Sequence, residues 1–304
     1  MKNKIIHLIL LFLCTVPHKM QGITYLFAHG LADTKKQAYK YTQIRPGSTL
    51  LNKRFIIYSP LKAFNFPDAK GILSKIFRVD FTQTSLAQNN ELAAIAKAYT
   101  ALQDPEGAIV VGLSRGASVA STFAARVAKG TINCTSPIKA LVLESPFDSI
   151  TGVINDRISV PWIRSLVLSM IQAGIPFSKY SINGPQPINE IDTIPADMPI
   201  LLICSQEDAT VPATSTLRLY KKLRATGHYN THILMLKKGA HAKLLHGAEG
   251  QVYHNVTHAF YAQYGLPHEA VAAAQGKDGF ALCQPEYASE IVPASLPIPA
   301  KKLQ

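Results

Sequence analysis

Charge is scarce in this chain of 304 residues: only 16% are Asp, Glu, Lys or Arg, against 47% hydrophobic. That excludes disorder over most of the length, because ample apolar material is available to offset chain entropy on burial. Acid is scarcer than base. Nineteen Asp and Glu stand against 31 Lys and Arg, a net charge of +12. Such a field favours anionic partners or surfaces. Nucleic-acid binding calls for a basic stripe interleaved with aromatics, whereas here the basic residues are scattered, so no nucleic-acid partner is expected. No apolar run approaches the roughly 18 residues of a bilayer-spanning helix, which excludes a multi-span membrane protein. Cysteine is limited to Cys14, Cys134, Cys204 and Cys283, with no Cys-x-x-Cys, so structural zinc and thioredoxin-like redox chemistry have no footing. No internal repeat is visible.

What is present begins with a basic start, Lys2 and Lys4, followed by Ile5 to Val16, apolar apart from His7 and Thr15. This is the pattern of a secretory signal peptide over residues 1–22, and export is the expectation. No Ala-x-Ala-like cleavage triplet follows, and Gly22 is the best small residue, so an uncleaved anchor and lipid attachment at Cys14 stay open. Without that segment three cysteines remain, enough for at most one disulfide. Cys204, in an apolar run, reads as a buried small hydrophobe. At the other end, residues 267–304 are rich in Ala, Gly and Pro and predict a loosely held tail with one short helix.

Between the ends, short apolar runs alternate with longer amphipathic ones. Strands are predicted at 23–28, 54–58, 108–112, 139–144, 200–204 and 232–236, and helices at 34–41, 89–102, 116–129, 213–226 and 248–264. Such alternation argues an α/β fold, a mostly parallel sheet of about six strands covered on both faces. Residues 147–196 interrupt the rhythm with two helices and a Pro- and Asn-rich loop. The second helix carries Trp162, Leu166 and Met170. It is either a helix packed on the sheet or a small cap over an apolar pocket, in which case those three residues would bind substrate.

The strongest local signal is Gly112-Leu113-Ser114-Arg115-Gly116, after the apolar run 108–111 and before an Ala-rich helix. Gly-x-Ser-x-Gly is weak alone, but a buried strand, a sharp turn and a helix put the serine on an exposed corner above the sheet. A serine needs a base. Seven of the ten histidines follow residue 227, and His241 lies on a loop just past the last predicted strand. His228 and His232 flank the start of that strand, the wrong end of the sheet. His254 and His258 have the i, i+4 spacing of a metal pair, but lack the Glu of His-Glu-x-x-His and an evident third ligand, so no metal is expected. An orienting carboxylate is supplied by Asp208, at the end of another strand, with Asp148 and Glu207 as rivals. The oxyanion donors expected are the amides of Leu31, after His29-Gly30, and Arg115, with buried His29 holding its loop.

The succession His29-Gly30, Gly112-x-Ser114-x-Gly116, Asp208-x-x-Val211-Pro212 and Gly239-x-His241 resembles the alpha/beta-hydrolase superfamily over residues 23–266. Leu143-Glu144-Ser145-Pro146-Phe147 and Ser205-x-x-Asp208 look most like its serine aminopeptidase-like, Bem46-like branch. The resemblance implies esterase or thioesterase chemistry, with the superfamily's first two strands missing. The sequence thus predicts an exported serine hydrolase acting on a small-molecule or lipid ester, thioester or amide through Ser114, His241 and Asp208, with no cofactor required. The basic charge and the cap helix suggest an anionic membrane surface nearby. The alternatives are a non-catalytic lipid- or protein-binding member of the fold, and an acyltransferase with the same triad.

Overall fold

A computed structural model describes residues 23–31, 50–52, 55–57, 61–63, 85–174 and 179–283. The N-terminal segment 1–22, the helix predicted at 34–41 and residues 284–304 lie outside that set. The strands are β1 (Thr24–Ala28), β2 (Leu50–Asn52), β3 (Phe55–Ile57), β4 (Leu61–Ala63), β5 (Ala108–Leu113), β6 (Ile138–Glu144), β7 (Ile200–Ser205) and β8 (Thr231–Leu236). Six of them form one parallel sheet in the order β4-β1-β5-β6-β7-β8, as the alternation predicted. The run expected as a sheet strand at 54–58 behaves differently. Within it Phe55–Ile57 form β3, which among the described residues pairs antiparallel with β2 only, and the edge of the main sheet described is the three residues of β4.

The helices are α1 (Asn89–Thr100), α2 (Arg115–Ala128), α3 (Ile150–Arg157), α4 (Pro161–Gln172), α5 (Pro187–Glu190), α6 (Ala213–Ala225), α7 (Gly250–Gln263) and α8 (Ala270–Ala281). Side chains alternate across a strand, so each strand feeds two cores. Leu26, Val110, Leu141, Leu202 and Met235 turn to one face and pack with Ile95 of α1, Phe123 of α2 and Leu219 of α6. Tyr25, Ile109, Val142, Ile203 and Leu234 turn to the other and pack with Phe260 of α7 and Phe280 of α8. None of the described helices is long and apolar enough to cross a membrane.

Helix α8 is the short helix expected in the tail, but the looseness expected with it does not hold for residues 267–283. Residues 267–283 are held, with Ala272, Ala273, Phe280 and Cys283 buried. The Ala and Gly content that suggested looseness is what permits close packing: a Cβ on Gly276 would stand 2.0 Å from the Asn255 carbonyl oxygen of α7. The three cysteines among the described residues are all free, and burial pushes the Cys204 and Cys283 thiols up to about 12.

The inserted segment starts cleanly. The Ser149 hydroxyl accepts from the Gly152 amide at 2.8 Å, capping α3, and Pro161 occupies the first turn of α4, where a missing N–H costs nothing. One face of α4, through Val167 and Ile171, joins a small cluster with Leu31, Leu86, Ile150, Ile154 and Tyr180.

Candidate active site

Parallel strands place all their C-terminal ends on one rim, and in open α/β sheets ligands bind there. Leu31 follows β1, Ser114 follows β5, Asp208 follows β7 and His241 follows β8. Ser114 is the corner between β5 and α2, with φ 55° and ψ −118°, a conformation that a side chain tolerates only when its surroundings impose it. Here they do. Its amide donates to the Glu144 carbonyl at 2.8 Å, and its own carbonyl accepts from Ala117 at 2.9 Å. The flanking glycines let strand and helix close in. A Cβ on Gly112 would lie 2.5 Å from Ala117 Cα, and one on Gly116 would lie 2.0 Å from the Ala28 carbonyl oxygen.

Three side chains from three loops meet in series. His241 Nδ1 lies 2.8 Å from Asp208 Oδ2, and His241 Nε2 lies 2.7 Å from Ser114 Oγ. With Nδ1–H donating to the carboxylate, Nε2 is left as acceptor for the serine hydroxyl. Asp208 is held from every side: Oδ2 also accepts from the Ser145 hydroxyl at 2.9 Å, and Oδ1 from the Thr210 and Val211 amides at 2.8 and 2.9 Å. Burial acts to raise its pKa. The hydrogen bond and charge of His241 and the two amides outweigh that and hold it below the usual carboxylate value.

Both rival carboxylates are engaged elsewhere. Asp148 is bound by Arg218 Nε at 2.7 Å and by Ser215, tying the start of the insertion to α6. Glu207 Oε2 accepts from the Gly239 amide at 3.4 Å, bracing the histidine loop. His228 and His232 are buried at the far end of β8, and burial pushes His232 down to about 4.

The Arg115 amide is the first of α2, where the helix dipole favours negative charge. Leu31 is half-buried and follows the His29-Gly30 loop, in which His29 Nδ1 bonds the Gly30 carbonyl at 2.8 Å. Sequence reasoning missed the side chain of Arg115. It turns inward, fully buried, and reaches Gly30 O at 3.3 Å and Glu91 Oε1 at 3.4 Å. Glu91 in turn accepts from the Ser85 amide and hydroxyl. The residue after Ser114 therefore braces the opposite loop.

Trp162, Leu166 and Met170 are not enclosed. They are 69%, 53% and 43% exposed, because the sheetward face of α4 belongs to Val167 and Ile171. The expected substrate contact of these three residues is corrected accordingly. The structure does bring a third potential ligand, Glu269, to His254 and His258, with ligand atoms within 4.8 Å of one another. But the Glu269 amide donates to His258 Nδ1 at 2.9 Å, so in the neutral ring Nε2 carries the proton. Neither nitrogen is then available to a cation, and the group acts as a clasp between α7 and α8.

A model of the prolyl oligopeptidase family matches residues 169–265. No curated protein matches the sequence significantly. An acylaminoacyl peptidase from Pyrococcus horikoshii is similar at TM-score 0.51 and 15% identity, over 82% of this chain but 38% of its own, so this chain spans well under half of that peptidase. An esterase from Pyrococcus furiosus is similar at TM-score 0.51 and 16% identity, over 81% of this chain and 83% of the esterase. A membrane phospholipase A, a bacterial virulence factor, is similar at TM-score 0.51 and 14% identity, over 80% of each chain. Identity at this level speaks for the fold and nothing finer.

Proposed function

We propose that this chain, an alpha/beta hydrolase in its fold, is a serine hydrolase that cleaves an ester or thioester through an acyl-enzyme. One observation carries the reading: His241 bridges Ser114 Oγ and Asp208 Oδ2 at 2.7 and 2.8 Å. Ser114 Oγ attacks the acyl carbonyl while His241 Nε2 takes its proton. Asp208 fixes the ring and stabilises the imidazolium. The carbonyl oxygen, now negative, is met by the amides of Leu31 and Arg115. Collapse expels the alcohol or thiol with the proton from His241. Water then attacks the acyl-enzyme along the same path, returning Ser114.

An alkoxide or thiolate leaves with less acid assistance than an amine, so esters and thioesters suit this site without further machinery for amides. In the same proposal, the basic-then-apolar start of the chain supports export of the enzyme.

A fluorophosphonate probe tests the nucleophile. The wild-type chain is expected to be labelled and Ser114→Ala not, with esterase turnover falling by roughly four to six powers of ten in Ser114→Ala and His241→Ala. Labelling that survives Ser114→Ala would end the reading. A panel of p-nitrophenyl esters against aminoacyl anilides then assigns the acyl class, and faster anilide cleavage would reverse the preference stated here.

A further inference from the structure

Helix α4 has two apolar faces, and only one is covered. Val167 and Ile171 pack inward, while Trp162, Leu166 and Met170 repeat every four residues along the outside, with Val160 just before them at 39% exposure. Four-residue spacing makes a continuous ridge, and an exposed apolar ridge on a soluble domain marks a contact surface. Its charge setting is one-sided. From Arg157 to Asn189 the sequence has no Asp or Glu, while Arg157 and Lys179 are exposed and Arg164 half-buried. The whole chain adds a net +12. A second copy of so basic a molecule is a poor occupant for a ridge in a segment with no acidic residue.

We propose that the outer face of α4 docks the protein on an anionic lipid surface, with Trp162, Leu166 and Met170 entering the headgroup–acyl boundary and the exposed Arg157 and Lys179 meeting lipid phosphates. Apolar residues on one side and cations beside them are what an in-plane interfacial helix requires. The inner face of the same helix joins Leu31 through the cluster with Val167 and Ile171, and the Arg157 guanidinium at the end of α3 bonds the Asp208 carbonyl. Docking therefore sets the rim bearing Ser114 against the source of acyl esters. That last consequence rests on the serine-hydrolase reading, whereas docking does not need Ser114.

The chain contains one tryptophan, so Trp162 reports on its own surroundings. Full-length Ser114→Ala protein is mixed with vesicles of phosphatidylcholine alone, or of phosphatidylcholine and phosphatidylglycerol in equal parts. The expected result is a blue shift of tryptophan emission and co-flotation with the anionic vesicles. Partition should be about a hundredfold stronger than onto the zwitterionic ones at low salt, and should weaken as salt is added. Leu166→Ser/Met170→Ser, on exposed positions that leave the melting temperature in place, should lose flotation yet keep wild-type turnover of a soluble ester when Ser114 is present. Lys179→Gln should weaken the anionic preference. Unchanged emission with anionic vesicles, or flotation of Leu166→Ser/Met170→Ser equal to that of the parent, overturns the proposal. A concentration-dependent dimer that shifts Trp162 emission without lipid also overturns it. Fluorophosphonate labelling of the wild type, measured separately, keeps failure of docking distinct from failure of the hydrolase reading.

Discussion

Arg115 contributes to the serine corner twice, with its amide beside the nucleophile and its guanidinium beneath the facing loop. The guanidinium spans Glu91 and the Gly30 carbonyl, so it fixes where the Leu31 amide points. Truncation would leave Glu91 charged and buried, a cost of about 3–5 kcal/mol that threatens folding. Arg115→Lys keeps the charge but has a single donor centre in place of the fork, and cannot hold both partners. We expect it to fold, and to lower kcat and the rate of fluorophosphonate labelling by about ten- to a hundredfold, a fraction of what loss of an oxyanion donor costs, with KM little changed. Glu91→Gln should do the same to a smaller degree. Equal labelling rates in wild type and Arg115→Lys would mean that the guanidinium only fills space.

Ser114, Asp208 and His241 were legible because each follows an apolar run that could only be a buried strand, and three such ends share a rim. Glu91 was not. An acid in the first turn of an amphipathic helix reads as a solvated residue, and its partner stands 24 positions away. Ser145 was likewise visible only as part of a motif, until its hydroxyl was found on Asp208.

At the scale of elements, the layer formed by α7 and α8 carries buried imidazoles that resist protonation. His232, ringed by Phe260, Tyr264 and Phe280, is pushed down to about 4 by burial, with a smaller push from Arg224 against the pull of the Cys283 carbonyl. His258, under the Glu269 amide, is pushed down to about 3 by burial and by the neighbouring His254 and His268. Both folded values lie below the unfolded value of about 6.5, so below that pH the unfolded chain binds protons that the folded one refuses. Their stabilisation is whole above about pH 7 and drains as pH falls toward 4. At about pH 5 each has lost roughly 2 kcal/mol, or some 10 °C in Tm for the pair in a chain of this size. Thermal melts at pH 7.5 and 5 check this. His258→Gln and His232→Gln should start lower at pH 7.5 and fall less on acidification, and a flat wild-type profile would contradict the burial argument. The sequence predicted both helices of this layer but not the burial of its imidazoles. The composition of residues 270–281 has the small residues of a loop, and only the approach of Gly276 to Asn255 shows them to be those of a tight helix pair.

For the whole molecule, the number of strands was legible and their order was not. Alternating apolar runs predicted six parallel strands, but the edge strand is only three residues long and follows in sequence a hairpin whose β3 looks like a better candidate. What composition hid most was how the second face of the sheet is closed. Tyr25, Phe27, Val142 and Ile203 on that face share a core with Phe260 of α7 and with Leu266, Phe280 and Cys283. The Tyr25 hydroxyl, at the opposite end of the chain, donates to the Pro267 carbonyl at 2.7 Å, and the Ile233 amide of β8 donates to the Cys283 carbonyl at 3.4 Å. A chain ending at Leu266 keeps Ser114, Asp208 and His241 yet loses α8, one buried aromatic worth about 1.5–3 kcal/mol and both of these hydrogen bonds. We expect it to bind a hydrophobic dye, to aggregate on mild warming and to lose fluorophosphonate labelling, because Ser114 is held in its strained turn only while the strands beneath it are fixed. A chain ending at Cys283 retains all of those contacts and should melt and label like the full-length protein. If instead the chain ending at Leu266 labels and melts normally, the sheet is closed without its C-terminal helix, and the triad rests on a smaller body than the one described.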